Sequence, residues 1–154
     1  MALALPAELA GSLTEREAIA DTLHRAVLAF DNADDALLLS AITEDISVEM
    51  LGFSAKGVAE IKAAVFDRVS KLDTTHFLSN IRVSIESATT AKVTCSALSQ
   101  HVRPGKGLEP GSSKFTAGGM YLCDVVKVGS LWKISAWKMN IVWTEGDQTV
   151  MEGQ

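Results

Sequence analysis

The sequence is short of several things, and each shortage excludes a class of protein. It holds only two cysteines, Cys95 and Cys123, too few to staple a small secreted scaffold. Both sit inside alternating apolar stretches, where buried free thiols in a reducing compartment are expected. No window approaches the roughly 20 apolar residues that a membrane-crossing helix needs. The opening Met-Ala-Leu-Ala-Leu-Pro-Ala-Glu lacks the basic segment of a signal peptide, and Pro6 with Glu8 interrupts its apolar character. The expectation is a cytoplasmic chain with no membrane partner. Basic residues are also scarce and scattered: 14 Lys and Arg stand against 19 Asp and Glu, for a net charge of −5. Without a cluster of cations to meet phosphates, no nucleic-acid partner is expected. There are only 3 prolines in 154 residues, no repeat, no low-complexity stretch and no linker, so residues 1–154 read as a single domain.

What the chain does have is a globular balance, 47% hydrophobic and 21% charged, with clear periodicity. Thr14 and Glu17 have capping-box spacing, and Ile19, Leu23, Ala26, Val27 and Phe30 follow at helical intervals. Asp31 comes next, one turn beyond Val27, at the rim of the buried face. A carboxylate there is costly unless something pairs with it. Residues 36–42 suit a second short helix, residues 46–50 a short strand, and residues 52–57 a connection. Val58, Ile61, Val65 and Val69 mark a third helix.

Residues 73–86 read as a long strand whose alternation places Phe77, Ile81, Val83 and Ile85 on one apolar face and His76, Leu78 and Asn80 on the other. Residues 92–102 form a second long strand, with Val93, Cys95, Ala97, Ser99 and His101 on one face. Residues 103–119 hold five glycines and two prolines and read as a long loop over whatever the strands enclose. Residues 120–128 and 131–143 are strands joined by a Gly129-Ser130 turn, and residues 144–154 a polar tail. Helices first and long antiparallel strands after predict an α+β fold. Long strands must curl, so the sheet becomes a cone with helices across its mouth and His76 and His101 inside.

Asp31 after an apolar helix, Thr75-His76-Phe77 opening one strand, His101 late in the next, and Leu131-Trp-Lys-Ile134 running into Asn140-Ile-Val-Trp143 together resemble the SnoaL-like branch of the NTF2-like superfamily, and within it the scytalone dehydratases. The resemblance covers about residues 18–147 and implies a cone-shaped α+β barrel with a mixed, mainly antiparallel sheet, three helices and a deep apolar pocket. It implies catalytic roles for Asp31, His76 and His101. The dehydratase's two substrate-holding tyrosines fall on Phe30 and Met50, and its serine and asparagine on Gly119 and Tyr121, so its own substrate is not expected here. The related lindane dehydrochlorinases also pair an aspartate with a histidine, matching Asp31 and His76.

A carboxylate on one imidazole nitrogen fixes the tautomer and makes the other nitrogen a better base. Such a pair can remove a proton next to a carbonyl, and a second histidine can protonate a departing hydroxyl or a carbonyl oxygen. A single buried histidine is ordinarily a satisfied core residue; three matching acid–base positions favour a site. The reading is a cofactor-independent lyase or isomerase, dehydratase-like, acting on a hydrophobic cyclic carbonyl compound such as a polyketide- or terpenoid-derived intermediate. Phe30, Met50, Phe53, Ser99, Tyr121, Trp137, Met139 and Ile141 would bind the substrate. Which histidine is base, and whether the reaction is dehydration, isomerisation, cyclisation or dehydrohalogenation, stay open. No nucleotide, flavin or metal is called for, although two histidines and a carboxylate could also form an iron site. The competing class is a non-catalytic small-molecule-binding or assembly module on the same fold. Val, Ile and Trp residues on the outer face of the sheet predict a homo-oligomer, a trimer or dimer.

Overall fold

The computed structural model describes residues 5–152. Helix α1 (Glu15–Asn32) starts where the sequence signals it. Thr14 accepts from the Glu17 backbone N–H at 3.2 Å, and Glu17 accepts from the Thr14 N–H at 2.7 Å. It ends at Ala33, whose left-handed backbone (φ 50°) turns the chain directly into α2 (Asp35–Ala41). The Asp34 side chain caps α2 by accepting from the Leu37 N–H at 2.9 Å. Ile19, Leu23, Ala26, Val27 and Phe30 are all buried, as their spacing predicts.

Strands β1 (Ile42–Met50) and β2 (Phe53–Lys56) form a hairpin where the sequence predicts a strand and a connection. Leu51 and Gly52 both have positive φ, 47° and 79°, as a tight two-residue hairpin turn requires. The third helix is broken into α3 (Val58–Ile61), a π-helical turn (Lys62–Phe66) and α4 (Asp67–Val69). Strands β3 (Asp73–Ile85), β4 (Thr90–Val102), β5 (Lys114–Val128) and β6 (Leu131–Gly146) follow, and a 3₁₀ turn over Gln148–Glu152 closes the described chain. The six strands make one open mixed sheet in the order β2-β1-β6-β5-β4-β3, in which only β1 and β6 run parallel. Its inner face packs on the helices in the α+β arrangement that the element order predicts.

Three expectations are corrected. In β3 the register slips between Ser79 and Arg82, because Asn80 sits in the left-handed region (φ 54°) and forms a bulge. The bulge flips the parity. Thr74, His76 and Leu78 share the half-buried inner side with Ile81 and Val83, while Phe77, expected with Ile81, lies on the outer face with 55% of its surface exposed. The predicted loop over residues 103–119 ends six residues early, at Ser113, and β5 begins at Lys114. Gly118 and Gly119 belong to β5, where an added Cβ would collide with the Trp143 ring and the Asn140 carbonyl respectively. The predicted polar tail is built as well: β6 runs on to Gly146, and Val150 is fully buried.

Candidate active site

Three elements bring the acid–base groups together. The last turn of α1 carries Asp31 over the start of β3, and both Asp31 oxygens accept hydrogen bonds from one residue there. Oδ2 takes the His76 backbone N–H at 3.0 Å and Oδ1 takes His76 Nδ1 at 2.6 Å. The two side chains are each only 10% exposed, so the carboxylate that looked costly at the rim of α1 is satisfied by this double contact. A carboxylate can only accept, so the ring proton sits on Nδ1 and the Nε2 lone pair is left to a ring that lines the cavity.

His101 lies one strand over. Strand pairing sets Thr74 opposite His101 and Ser99 opposite His76, so the two rings meet diagonally, with centroids 5.5 Å apart and planes at 72°. The partners of His101 are hydroxyls. Thr74 Oγ1 donates to the Gln100 carbonyl at 3.2 Å, so it accepts from His101 Nδ1 at 2.7 Å. His101 Nε2 then accepts from Ser99 Oγ at 3.1 Å. Phe115 stacks beside the ring at 6.3 Å. Burial, reinforced by neighbouring His76 and opposed by Asp31, pushes the His101 pKa down to about 4. This imidazole is neutral near neutral pH.

Both rings face a cavity of about 240 Å³ between the helices and the inner sheet face. Of the eight predicted substrate-binding residues, Phe30, Met50, Ser99, Tyr121, Trp137, Met139 and Ile141 line it, and Phe53 does not. The Leu51-Gly52 turn reverses the chain just before Phe53 and carries it onto the edge strand β2, where it is 37% exposed. The lining also includes residues the sequence reading missed: Leu51 from the hairpin turn, Arg68 and Val69 from α4, Phe115 and Ala117 from the early part of β5, and Gln148 and Met151 from the closing 3₁₀ turn. Val65 and Val69 had signalled only a buried stripe, and Phe115 lay inside a segment read as loop.

The remaining candidates fall outside the chemistry. Cys95 and Cys123 are buried free thiols; burial raises the Cys95 pKa to about 11 and that of Cys123 well above the usual thiol value, so neither is a nucleophile. Burial likewise raises the Tyr121 hydroxyl, which stays protonated. His24 is half-buried on α1 and does not line the cavity. Among the described residues no group of three or more His, Cys, Asp or Glu is arranged to hold a metal ion. Asp31 is turned onto His76 rather than toward a point shared by both rings.

Comparison with known proteins fits this geometry. The SnoaL-like domain model matches residues 11–138, most of the chain and both helix α1 and the strands that carry the site. The chain belongs to the SnoaL-like family. Within that family and its NTF2-like relatives, it is 45% identical over 149 residues to the terrestric acid biosynthesis cluster protein E of Penicillium crustosum, an alignment covering 96% of each chain. Among solved structures, a scytalone dehydratase-like protein of Novosphingobium aromaticivorans superposes with a TM-score of 0.74 at 24% identity, covering 87% of this chain and 88% of that one. A hexachlorocyclohexane dehydrochlorinase of Novosphingobium barchaimii gives 0.68 at 18% identity, covering 86% and 90%. At such identities these two establish the SnoaL-like fold alone. At Gly119, where the resemblance to the dehydratase expects a polar side chain, an added Cβ would strike the Asn140 backbone, so no side chain reaches the cavity from that position.

Proposed function

We propose that this chain is a cofactor-independent lyase or isomerase of the dehydratase type, acting on a hydrophobic cyclic carbonyl compound. The observation that carries the reading is the 2.6 Å contact between His76 Nδ1 and Asp31 at the wall of a mainly apolar cavity. In this reading His76 Nε2 takes a proton from the carbon beside the substrate carbonyl. The C–H electron pair moves to the carbonyl as an enolate, Nδ1–H stays on Asp31, and the imidazolium is stabilised by that carboxylate. For dehydration, the enolate pair then forms the double bond as the C–O bond on the next carbon breaks. The proton on Nε2 goes to the departing oxygen, water leaves, and His76 is restored. For isomerisation the same proton returns at another carbon.

His101, neutral and tied to two hydroxyls, has no ionic proton to give. Its part in the proposal is to hold the Ser99 hydroxyl, whose oxygen is left to accept from a substrate hydroxyl. Phe30 and Met50, in place of hydroxyl-bearing residues, leave that orientation to Ser99, the two imidazoles and shape. The Penicillium relative, named for a biosynthesis cluster, supports a secondary-metabolic substrate. The proposal includes self-association. Phe77, Leu98 and Trp143 line up across β3, β4 and β6 over Gly118 on the outer face, each 39–55% exposed, and light scattering of a dimer or trimer mass would support it while a clean monomer would refute it.

The test is a panel of cyclic β-hydroxyketones followed for loss of water or migration of a double bond. Turnover by the wild-type protein that Asp31→Asn abolishes supports the reading. A folded Asp31→Asn protein with undiminished turnover would overturn the dyad. A protein that binds such compounds without changing them would instead be the binding module.

A further inference from the structure

The cavity is lined mostly by apolar side chains, with Ser99, Tyr121, Thr144, Gln148 and the two imidazoles as polar groups among them. It contains one side chain with a permanent charge, Arg68 on α4. Arg68 is exposed, as are its fellow lining residues Leu51, Thr144 and Gln148, and these mark the cavity mouth. Its guanidinium makes one hydrogen bond, to the Ala64 carbonyl at 3.0 Å, and no ion pair with any carboxylate among the described residues. Most of its five donors are therefore uncommitted. Among the described residues Lys71, Arg82 and Lys133 also lack an ion pair, but Arg68 alone of the basic residues lines the cavity. It is also positioned by a π-helical turn, a feature often found where a helix has been shaped around a site.

We infer that the cavity takes a ligand with an anionic group, a carboxylate or an acidic enol, at one end of an otherwise apolar ring body, and that Arg68 binds that group at the mouth while the ring lies among Phe30, Tyr121 and Trp137. This rests on the proposed small-molecule site and narrows its substrate class. A guanidinium offers two parallel donors to a carboxylate, and a charge-assisted pair beside an apolar wall is stronger than one in open water. Arg68 thus sets affinity and orientation, presenting the far end of the ring to the imidazoles, and takes no part in proton transfer.

The test is equilibrium binding with 2-naphthoate and its neutral counterpart 2-naphthamide, two probes of the same ring body, located by amide shifts of Phe115, Tyr121 and Ile141. Wild type should bind the carboxylate about tenfold more tightly than the amide, a preference that shrinks as salt rises to about 0.5 M. Arg68→Gln should erase the preference with little change for the amide, and Arg68→Lys should keep part of it. Equal affinities in wild type, a preference that survives Arg68→Gln, or carboxylate binding away from the cavity would each overturn the inference. Because nothing is turned over, the outcome is separable from the catalytic reading: binding through Arg68 without catalysis upholds this inference and sinks that one, and catalysis on neutral ketones with no carboxylate preference does the reverse.

Discussion

His76 and His101 stand 5.5 Å apart ring to ring, on adjacent strands of one sheet, and the chain surrounds them with different kinds of partner. His76 Nδ1 meets a carboxylate at 2.6 Å, and the same carboxylate holds the His76 backbone N–H. His101 Nδ1 meets a threonine hydroxyl at 2.7 Å and its Nε2 a serine hydroxyl at 3.1 Å, and burial holds its pKa down to about 4. Two imidazoles in one cavity thereby have different surroundings: one has a counter-ion for the charge it would gain on taking a proton, and the other is kept neutral.

The comparison breaks most severely at Asp31. Asp31→Asn keeps the shape but removes the charge and the obligate acceptor, and should lower kcat/KM by about 10³–10⁴ with an unchanged circular dichroism spectrum. His76→Ala should cost about as much, and the double variant little more than either, because the two act as a unit. His101→Gln should be milder, a loss of about 10-fold to 100-fold in kcat/KM.

The same variant has a second readout in stability. Because the folded pKa of His101 is depressed, the unfolded chain binds the extra proton first as pH falls. Stability from the neutral ring is intact above about pH 6.5 and drains away toward pH 4, by on the order of 3 kcal/mol. Urea unfolding at pH 7 and pH 4.5 should show His101→Gln losing less stability over that interval than wild type. The smallest effect is expected at Thr74, which acts on His101 only through Nδ1. Thr74→Val should cost a few-fold to about tenfold in rate, with the His101 tautomer mixture seen by ¹⁵N NMR shifting away from the Nδ1–H form.

The features legible in the sequence are those whose signal is local. The Thr14 and Glu17 cap, the α1 stripe ending at Asp31, and the alternation that puts Ser99 and His101 on one face each depend on residues a few positions apart. The inward placement of His76 was legible too, but the face assigned to Ile81 and Val83 was not. Asn80 is of a type that tolerates the left-handed backbone, but inside an alternating strand that is too weak a signal to mark a bulge, and one bulged residue inverts everything after it. Gly118 and Gly119 read as loop because their reason, the Trp143 ring and the Asn140 carbonyl pressed against them, lies on another strand. The cavity mouth was hidden for a similar cause. Arg68, Gln148 and Met151 come from short elements whose periodicity is too brief to read, and they meet only when the 3₁₀ turn folds back with Val150 buried beneath it.

The most direct test of the central assignment, His76 on Asp31 as the proton-removing base, is deuterium exchange into the carbon beside the carbonyl of a cyclic ketone incubated with the protein in D₂O and followed by NMR. It asks only whether that proton is taken, whatever the later steps. Wild type should exchange the position well above the buffer rate, His101→Gln more slowly but measurably, and His76→Ala and Asp31→Asn no faster than buffer. Exchange that persists at the wild-type rate in His76→Ala, or that disappears only in His101→Gln, would contradict the account.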